Sequence, residues 1–374
     1  MDALRQRPSR FATPALVVVV AVGWFVRTPI VVTIALLVLV GTTTAFLVNG
    51  RYALRRIAML IPIMVVVSFV VFCLMAFLPG DPAINILGPS ATPDAVAKVN
   101  EELGLDQPLF NRYGDWLGDV VMGDLGTSVQ RREEVSDGVL HALTPSLQLM
   151  FYSVVLSLAM AMPLGVWAAY REGQTPDRII NTVMLGFFAV PPFVLAVVSV
   201  LFLSIGGIKM AGVDVGFSLL PASRYVPFGQ DKTDHFKHLL LPAFSLSMGQ
   251  AAVYMRLLRS DMIATLRLPF IDLARSKGLS DRRILWHHAL RPSMFTVLTV
   301  MGFTVGTVVG GAMIIEAIFV LPGLGGYVIG SIAQRDFIAV QGAILVIATL
   351  YILTLTMLDF VYLAVDPRLR DHHG

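Results

Sequence analysis

The stretch SLQLMFYSVVLSLAMAMPLGVWAA, residues 146–169, decides the fold class. It contains no acidic or basic side chain along its whole length. A bilayer core about 30 Å thick needs about 20 apolar residues in a helix that rises 1.5 Å per residue. This stretch is therefore predicted to be a transmembrane helix.

Five further apolar stretches are long enough to span a bilayer. They are residues 57–78, 179–204, 239–257, 294–315 and 338–358. The composition agrees, since only 14% of the 374 residues are charged, against about 25% in a typical soluble domain, and the mean hydropathy is +0.75. The sequence therefore predicts an all-α, polytopic transmembrane helical bundle with six core spans.

The N-terminal region, residues 1–49, is predicted to be an extra membrane anchor with one or two further apolar segments. Residues 30–48 can span alone, whereas residues 14–26 are too few to cross comfortably. A tight hairpin of two crossings and a single crossing both fit. A cleaved signal peptide is a third alternative, because three arginines among the first ten residues precede the short apolar stretch.

Two loops of opposite charge predict the orientation. Residues 79–145 hold eleven acidic and four basic residues, whereas residues 256–291 hold eight basic and three acidic ones. Basic loops stay in the cytoplasm. The acidic loop is therefore predicted to be external, and the basic loop and the C-terminus to be cytoplasmic. The predicted division is an anchor at 1–49, a first core span with its acidic external loop at 50–145, and a five-span domain at 146–374 that contains loop 256–291.

The spans lack the groups that ion-coupled transport normally requires. An ionisable residue inside a membrane is costly and therefore usually functional, yet Glu316 and Asp359 lie only at span ends. The chain also has no phosphate-binding Gly-x-x-x-x-Gly-Lys-Ser/Thr loop. His287 and His288 are adjacent and have no third ligand nearby, so no metal site is predicted. We therefore expect no catalytic residue and no cofactor in this chain, and an energy source outside its membrane domain.

Loop 256–291 is patterned as two short helices around a glycine. Pro269 can open a helix, Gly278 can end it in a left-handed conformation, and Ser280 is a suitable N-cap for a second helix. Pro292 is predicted to close the unit. This pattern is typical of a rigid docking element for a motor protein. The alternative is a basic loop held near anionic headgroups.

The segment DLARSKGLS, residues 272–280, resembles the coupling motif of ABC importer permeases, in the form found in the oligopeptide/dipeptide/nickel family. The resemblance covers residues 50–370 and identifies this chain as similar to the first of that family's paired permeases. It implies contact with ATPases through residues of the loop. These are Asp272, Ala274, Arg275, Lys277, Gly278, Leu279, Ser280 and Leu290.

Motifs in the external loops also resemble that family. They lie at the end of the first core span, in the acidic loop and after the fifth span. The residues concerned are Gly80, Asp81, Pro82, Gly123, Asp124, Gly126, Glu316, Pro322 and Gly323.

The resemblance implies a complete uptake machine in the bacterial inner membrane. Its expected partners are a second homologous permease, two cytoplasmic ATPases, an extracytoplasmic substrate-binding protein and membrane lipid, but no nucleic acid. Peptides or related small solutes would pass by alternating access. A secondary or facilitative transporter that acts without ATPases is the alternative, and a permease homologue kept as a receptor or scaffold is a third interpretation.

Overall fold

The computed structural model describes residues 58–73, 92–94, 96–97, 107–128, 130–205, 208–210, 213–215 and 219–365. The predicted anchor at residues 1–49 and the motif residues Gly80, Asp81 and Pro82 lie outside these ranges. The chain divides into two compact units. The larger one, Ile63–Val226 with Thr233–Tyr351, contains every site discussed below.

The described residues are mainly helical. In chain order the helices are α1 (Ala58–Cys73), α2 (Leu109–Met122), α3 (Val135–Tyr170), α4 (Thr175–Ala189), α5 (Pro192–Leu203), α6 (Lys232–Leu266), α7 (Pro269–Ser276), α8 (Asp281–Arg283), a π-helical turn at Ile284–Ala289, α9 (Leu290–Phe319), α10 (Leu324–Ala333) and α11 (Phe337–Val365). Two short antiparallel strands, β1 (Ile208–Met210) and β2 (Val213–Val215), form a hairpin between α5 and α6.

The helices confirm an all-α membrane bundle, to which the hairpin is a small exception. Each of the six predicted spans overlaps a helix or a bent helix pair. By length and composition, α3 and α11 can each cross a membrane, and the number in the described part of the chain rises to four if each of two bent pairs forms one span. One pair is α4 with α5, bent by 102°, and the other is the end of α9 with α10, bent by 79°.

The third predicted span is therefore not the continuous helix that its apolar sequence indicated. Helix α4 ends at Ala189, and α5 begins only at Pro192. Pro191 and Pro192 cannot donate backbone hydrogen bonds, and proline disfavours the helical conformation in the residue before it. The apolar pattern identified the span, and the proline pair breaks it.

Buried side chains of the described residues pack in two large clusters. The first, here called the coupling-side core, combines α3, α6 and α9 with the loop helices, and includes Tyr254, Leu258 and Ile271. The second, the Glu316-side core, combines other parts of α3, α6 and α9 with α5, and includes Leu149 and Ile315. Since α3, α6 and α9 contribute to both, these helices connect the two ends of the bundle.

Candidate coupling loop and the opposite loop cluster

Helix α7 has one face buried in the bundle and another that is open. Ile271 and Ala274 are 0% and 7% exposed, and both belong to the coupling-side core. Phe270 and Leu273 are 43% and 55% exposed. Because large apolar side chains grouped at a surface favour contact with another molecule, this face is a candidate docking surface.

A left-handed glycine ends α7. Gly278 has φ +74°, and its N–H donates to the Arg275 carbonyl at 2.9 Å while the Leu279 N–H donates to the Ala274 carbonyl at 3.2 Å. These two bonds form the Schellman arrangement that satisfies terminal carbonyls. A Cβ at Gly278 would meet no atom within 4 Å. Backbone conformation, not lack of space, therefore requires glycine here.

The second predicted helix begins as expected but does not end where it was predicted to end. Ser280 occupies the N-cap position of α8, although its side chain makes no capping hydrogen bond. The chain then continues through the π-helical turn directly into α9, so Pro292 lies inside α9 and does not close the unit. The widened turn immediately precedes the point where the proline ring would crowd the His288 carbonyl in a regular α-helix.

The charged residues of α7 are exposed. Asp272 and Arg275 form a one-turn pair with 3.6 Å between Oδ1 and Nη1, and their side chains are 71% and 52% exposed. Such a pair contributes only about 0–1 kcal/mol. Among the predicted coupling residues, Ala274 and Leu290 are buried, Leu279 is half-buried, and the exposed ones are Asp272, Arg275, Lys277, Gly278 and Ser280.

Two contacts brace the loop against the turn between α3 and α4. The Tyr170 hydroxyl donates to Asp281 Oδ2 at 2.9 Å, which ties the end of α3 to the start of α8. Arg267, just before α7, donates through Nη2 to both carboxylate oxygens of Glu172, at 2.7 and 3.0 Å. Both ends of α7 are therefore held near the same turn.

An ion pair between half-buried Arg259 and buried Asp177 fixes the start of α4 to α6. Arg259 donates through Nε and Nη2 to the two oxygens of Asp177, at 2.5 and 2.7 Å. Asp177 is 3% exposed, and its carboxylate also accepts hydrogen bonds from the Gly173 N–H and the Asn181 side-chain amide. Because its oxygens are satisfied on several sides, this charge can remain buried.

The loop motifs at the other end of α3 pack against the start of α11. The Gly126 N–H donates to Asp124 Oδ1 at 2.8 Å, and Gly123 and Gly126 adopt φ +93° and +85°. A Cβ at Gly126 would lie 2.8 Å from a methyl group of Ile338. This glycine therefore serves both a turn and a close approach between two loops.

A second contact joins the same loops. The Ser128 hydroxyl donates to Asp336, and both residues are nearly fully buried. Asp336 also accepts through Oδ1 from the Ala339 N–H at 3.2 Å, at the start of α11. Nearby, the Arg131 guanidinium lies over the Tyr327 ring at 4.1 Å from its centroid. The acidic loop and the segment after α10 are thus packed together.

Glu316 is the centre of a buried cluster at the bend between α9 and α10. It is 1% exposed. Ser146 donates its hydroxyl to Glu316 Oε1 at 2.5 Å, and the Gly325 N–H donates to Oε2 at 2.7 Å. The Leu324 N–H in turn donates to Ser146 Oγ at 2.8 Å. The carboxylate and the serine therefore satisfy the first N–H groups of α10 and fix it to α3.

Sequence reasoning identified Glu316 and Gly323 but missed their partner. Ser146 was taken only as the first residue of an apolar span, since a single serine gives no sign of a partner 170 positions away. Gly323 lies against the Glu316 carboxylate, and Pro322 beside it is exposed. Within the described ranges, no group of three or more His, Cys, Asp or Glu residues could hold a metal ion.

Two models of known protein families match the sequence of this chain. The family model for the binding-protein-dependent transport system inner membrane component matches residues 161–371. A model for the N-terminal part of such membrane components matches residues 49–148. This chain belongs to that permease family. The first match contains loop 256–291 and Glu316, the second contains Ser146, and residues 1–48 precede both matches.

Relatives of this permease are named as peptide transport components. A putative peptide transport system permease protein of Brucella abortus is 36% identical over 85% of this chain and 98% of its own length. The dipeptide transport system permease protein DppB of Alkalihalophilus pseudofirmus is 31% identical over 85% of this chain and 99% of its own length. The glutathione transport system permease protein GsiC of Escherichia coli is 32% identical over 86% of this chain and 99% of its own length.

Family membership confirms the ABC importer interpretation over a transporter that acts alone. The chain is a transport subunit of an ABC permease family in the inner membrane. Members of such families work in complexes with ATPase and binding-protein partners.

Proposed function

We propose that this permease forms one half of a pore that imports peptides or related small solutes by alternating access. Its partners would be a second homologous permease, two cytoplasmic ATPases and an extracytoplasmic binding protein. The names of the peptide, dipeptide and glutathione relatives support this solute class. ATP hydrolysis would take place on the ATPases, and this chain would supply the pathway.

The face of α7 that carries Phe270 and Leu273 is the observation that supports the docking site. These side chains are open, whereas Ile271 and Ala274 on the same helix are anchored in the coupling-side core. A partner that covers the open face can therefore push on the bundle without first ordering the loop. The contacts from Tyr170 and Arg267 would pass the displacement to α3 and α4.

The proposed mechanism is tested by uptake into vesicles that contain the permease with its partner subunits. We expect uptake of a radiolabelled peptide to require ATP on the side of the vesicle membrane where the ATPases lie. Uptake driven by a pH gradient without nucleotide would contradict the proposal. Normal ATPase binding with no uptake of any peptide, dipeptide or glutathione would favour the receptor interpretation.

The proposed orientation places the acidic loop 79–145 outside and the coupling loop and C-terminus in the cytoplasm. With Cys73 replaced by alanine, a cysteine introduced by Glu102→Cys should react with an impermeant thiol reagent on intact protoplasts. A cysteine introduced by Arg275→Cys should react only after lysis. The reverse pattern would overturn the orientation.

A further inference from the structure

The third predicted span is interrupted near its middle by a stretch of irregular backbone. Helix α4 ends at Ala189, Val190 is extended with φ −90° and ψ 124°, and Pro191 precedes α5 with φ −58° and ψ 142°. The two helices are bent by 102°. Residues 187–192 are called the mid-span break below.

The prolines leave carbonyl groups in the break without their usual partners. In a continuous helix, the N–H groups at positions 191 and 192 would donate to the carbonyls of Phe187 and Phe188. Proline has no N–H. The Phe187 carbonyl accepts instead from the Val190 N–H at 3.3 Å, which is longer than a typical hydrogen bond. The break therefore presents hydrogen-bond acceptors that need donors from outside the helix.

Packing places the break between the two ends of the bundle. On one side of it, Ile180 and Met184 of α4 are buried in the coupling-side core. On the other side, Ala196 of α5 is buried in the Glu316-side core. Val190 lies eleven positions after the start of the apolar stretch at position 179, which corresponds to about 17 Å of helix. That is close to half of a bilayer core about 30 Å thick.

The break is also open to the surroundings of the chain. Phe188 is 55% exposed and Phe193 is 46% exposed, and Ala189, Pro191 and Pro192 are exposed as well. Irregular backbone at membrane depth is tolerated only where it is buried in protein or lines a water-filled cavity, because lipid cannot satisfy its polar groups. Lipid therefore cannot satisfy the backbone polar groups of this stretch.

We propose that the mid-span break lines the aqueous pathway and that its carbonyls accept hydrogen bonds from N–H groups of the permeating solute. An apolar surface of a second permease would leave these carbonyls unpaired, whereas water or an ammonium or amide group pairs them. The carbonyl end of α4 also carries partial negative charge, which favours a cationic group. This inference rests on the proposed function and assigns the mid-span break to the solute pathway.

The test measures water access at the break in the complete complex. In the Cys73→Ala parent, Ala189→Cys and, separately, Val190→Cys introduce a thiol within the break. Val155→Cys is the matched control, because Val155 is 47% exposed in the uninterrupted α3. Each variant is treated with an aminoethyl thiosulfonate, which is cationic, and with a sulfonatoethyl thiosulfonate, which is anionic. These reagents need a thiolate, which forms readily only in contact with water.

We expect both break variants to react at least tenfold faster than the Val155→Cys control with the cationic reagent. For each break variant, the rate of reaction with the cationic reagent divided by the rate with the anionic reagent should be at least three times the same ratio for a free thiol in solution. Reaction at both positions that is equal to or slower than that of the control would overturn the inference. ATP-driven peptide uptake by the same parent separates the outcomes: if uptake persists while the break is unreactive, only the pathway assignment fails.

Discussion

The two ends of the bundle use glycine for different physical reasons. At the proposed coupling loop, Gly278 has φ +74° and open space where a side chain would be. At the opposite end, Gly323 has the ordinary φ of −100°, but a Cβ there would lie 2.6 Å from Glu316 Oε1. The first glycine sets the direction of an exposed segment. The second allows a close internal fit around a buried carboxylate.

This difference predicts which property of the protein a substitution at each end should change. The surroundings of Glu316 are closed, with donors from Ser146 and Gly325 and no room for an added methyl group. A disturbance there must be absorbed by the fold itself. The surface around Gly278 is open, so a disturbance there changes mainly what a partner meets. Stability and coupling to ATP hydrolysis should therefore respond separately.

The largest effect on stability is expected for Gly323→Ala. The new methyl group would displace the Glu316 carboxylate from its donors, and overpacking of this kind costs about 1–3 kcal/mol. The thermal unfolding midpoint of the purified permease in detergent should fall clearly. Gly310→Ala is the matched control, because Gly310 is exposed in α9 and an added Cβ meets nothing within 4 Å.

A double variant tests whether the carboxylate is the cause. In Gly323→Ala/Glu316→Ala the overlap is removed, so the combined loss should be smaller than the sum of the two single losses. Additive losses would show that the Gly323 methyl group acts elsewhere. A Gly323→Ala variant as stable as the Gly310→Ala control would contradict the close fit.

A smaller effect on stability, with a large effect on coupling, is expected for Gly278→Val. A β-branched residue at φ +74° costs about 1–2 kcal/mol and would misdirect the start of α8. Membrane insertion should be retained, since no predicted span is touched. ATP hydrolysis stimulated by substrate should fall sharply in the complex that contains this variant.

Two companions of that variant separate shape from charge. Asparagine tolerates the left-handed conformation, so Gly278→Asn should keep most of the stimulated hydrolysis. Arg283→Gln should also have a modest effect, since exposed ion pairs contribute about 0–1 kcal/mol. If instead charge loss at Arg283 abolishes stimulation while Gly278→Val leaves it intact, the loop acts through lipid headgroups or partner charges and not through its shape.

The sequence predicted local features more fully than contacts between distant residues. Apolar run length identified the spans, and the spacing of Pro269, Gly278 and Ser280 predicted the start and end of α7 and the start of α8. These features depend on residues within one or two turns of each other. The break at Val190 is also encoded locally, by Pro191 and Pro192, but apolar run length alone does not show it.

Contacts between distant segments could not be derived in the same way. Ser146 meets Glu316, and Arg259 meets Asp177, only because helices that are remote in sequence pack side by side. Nor could the continuation through Pro292 be predicted from the proline alone, because a proline can either end a helix or be accommodated inside it beside a π-helical turn, as at Ile284–Ala289. These are properties of the assembled bundle.

The docking role of the open α7 face is tested most directly by retention of the ATPases during purification. We predict that Leu273→Ser lowers the amount of ATPase that co-purifies with the permease at least fivefold, without lowering the amount of permease in the membrane. Leu273 is 55% exposed, so its loss should not disturb the fold. Val121→Ser is the control, since Val121 is 80% exposed on α2, outside the coupling loop. ATPase retention equal to that of the control would contradict the assignment of α7 as the coupling surface.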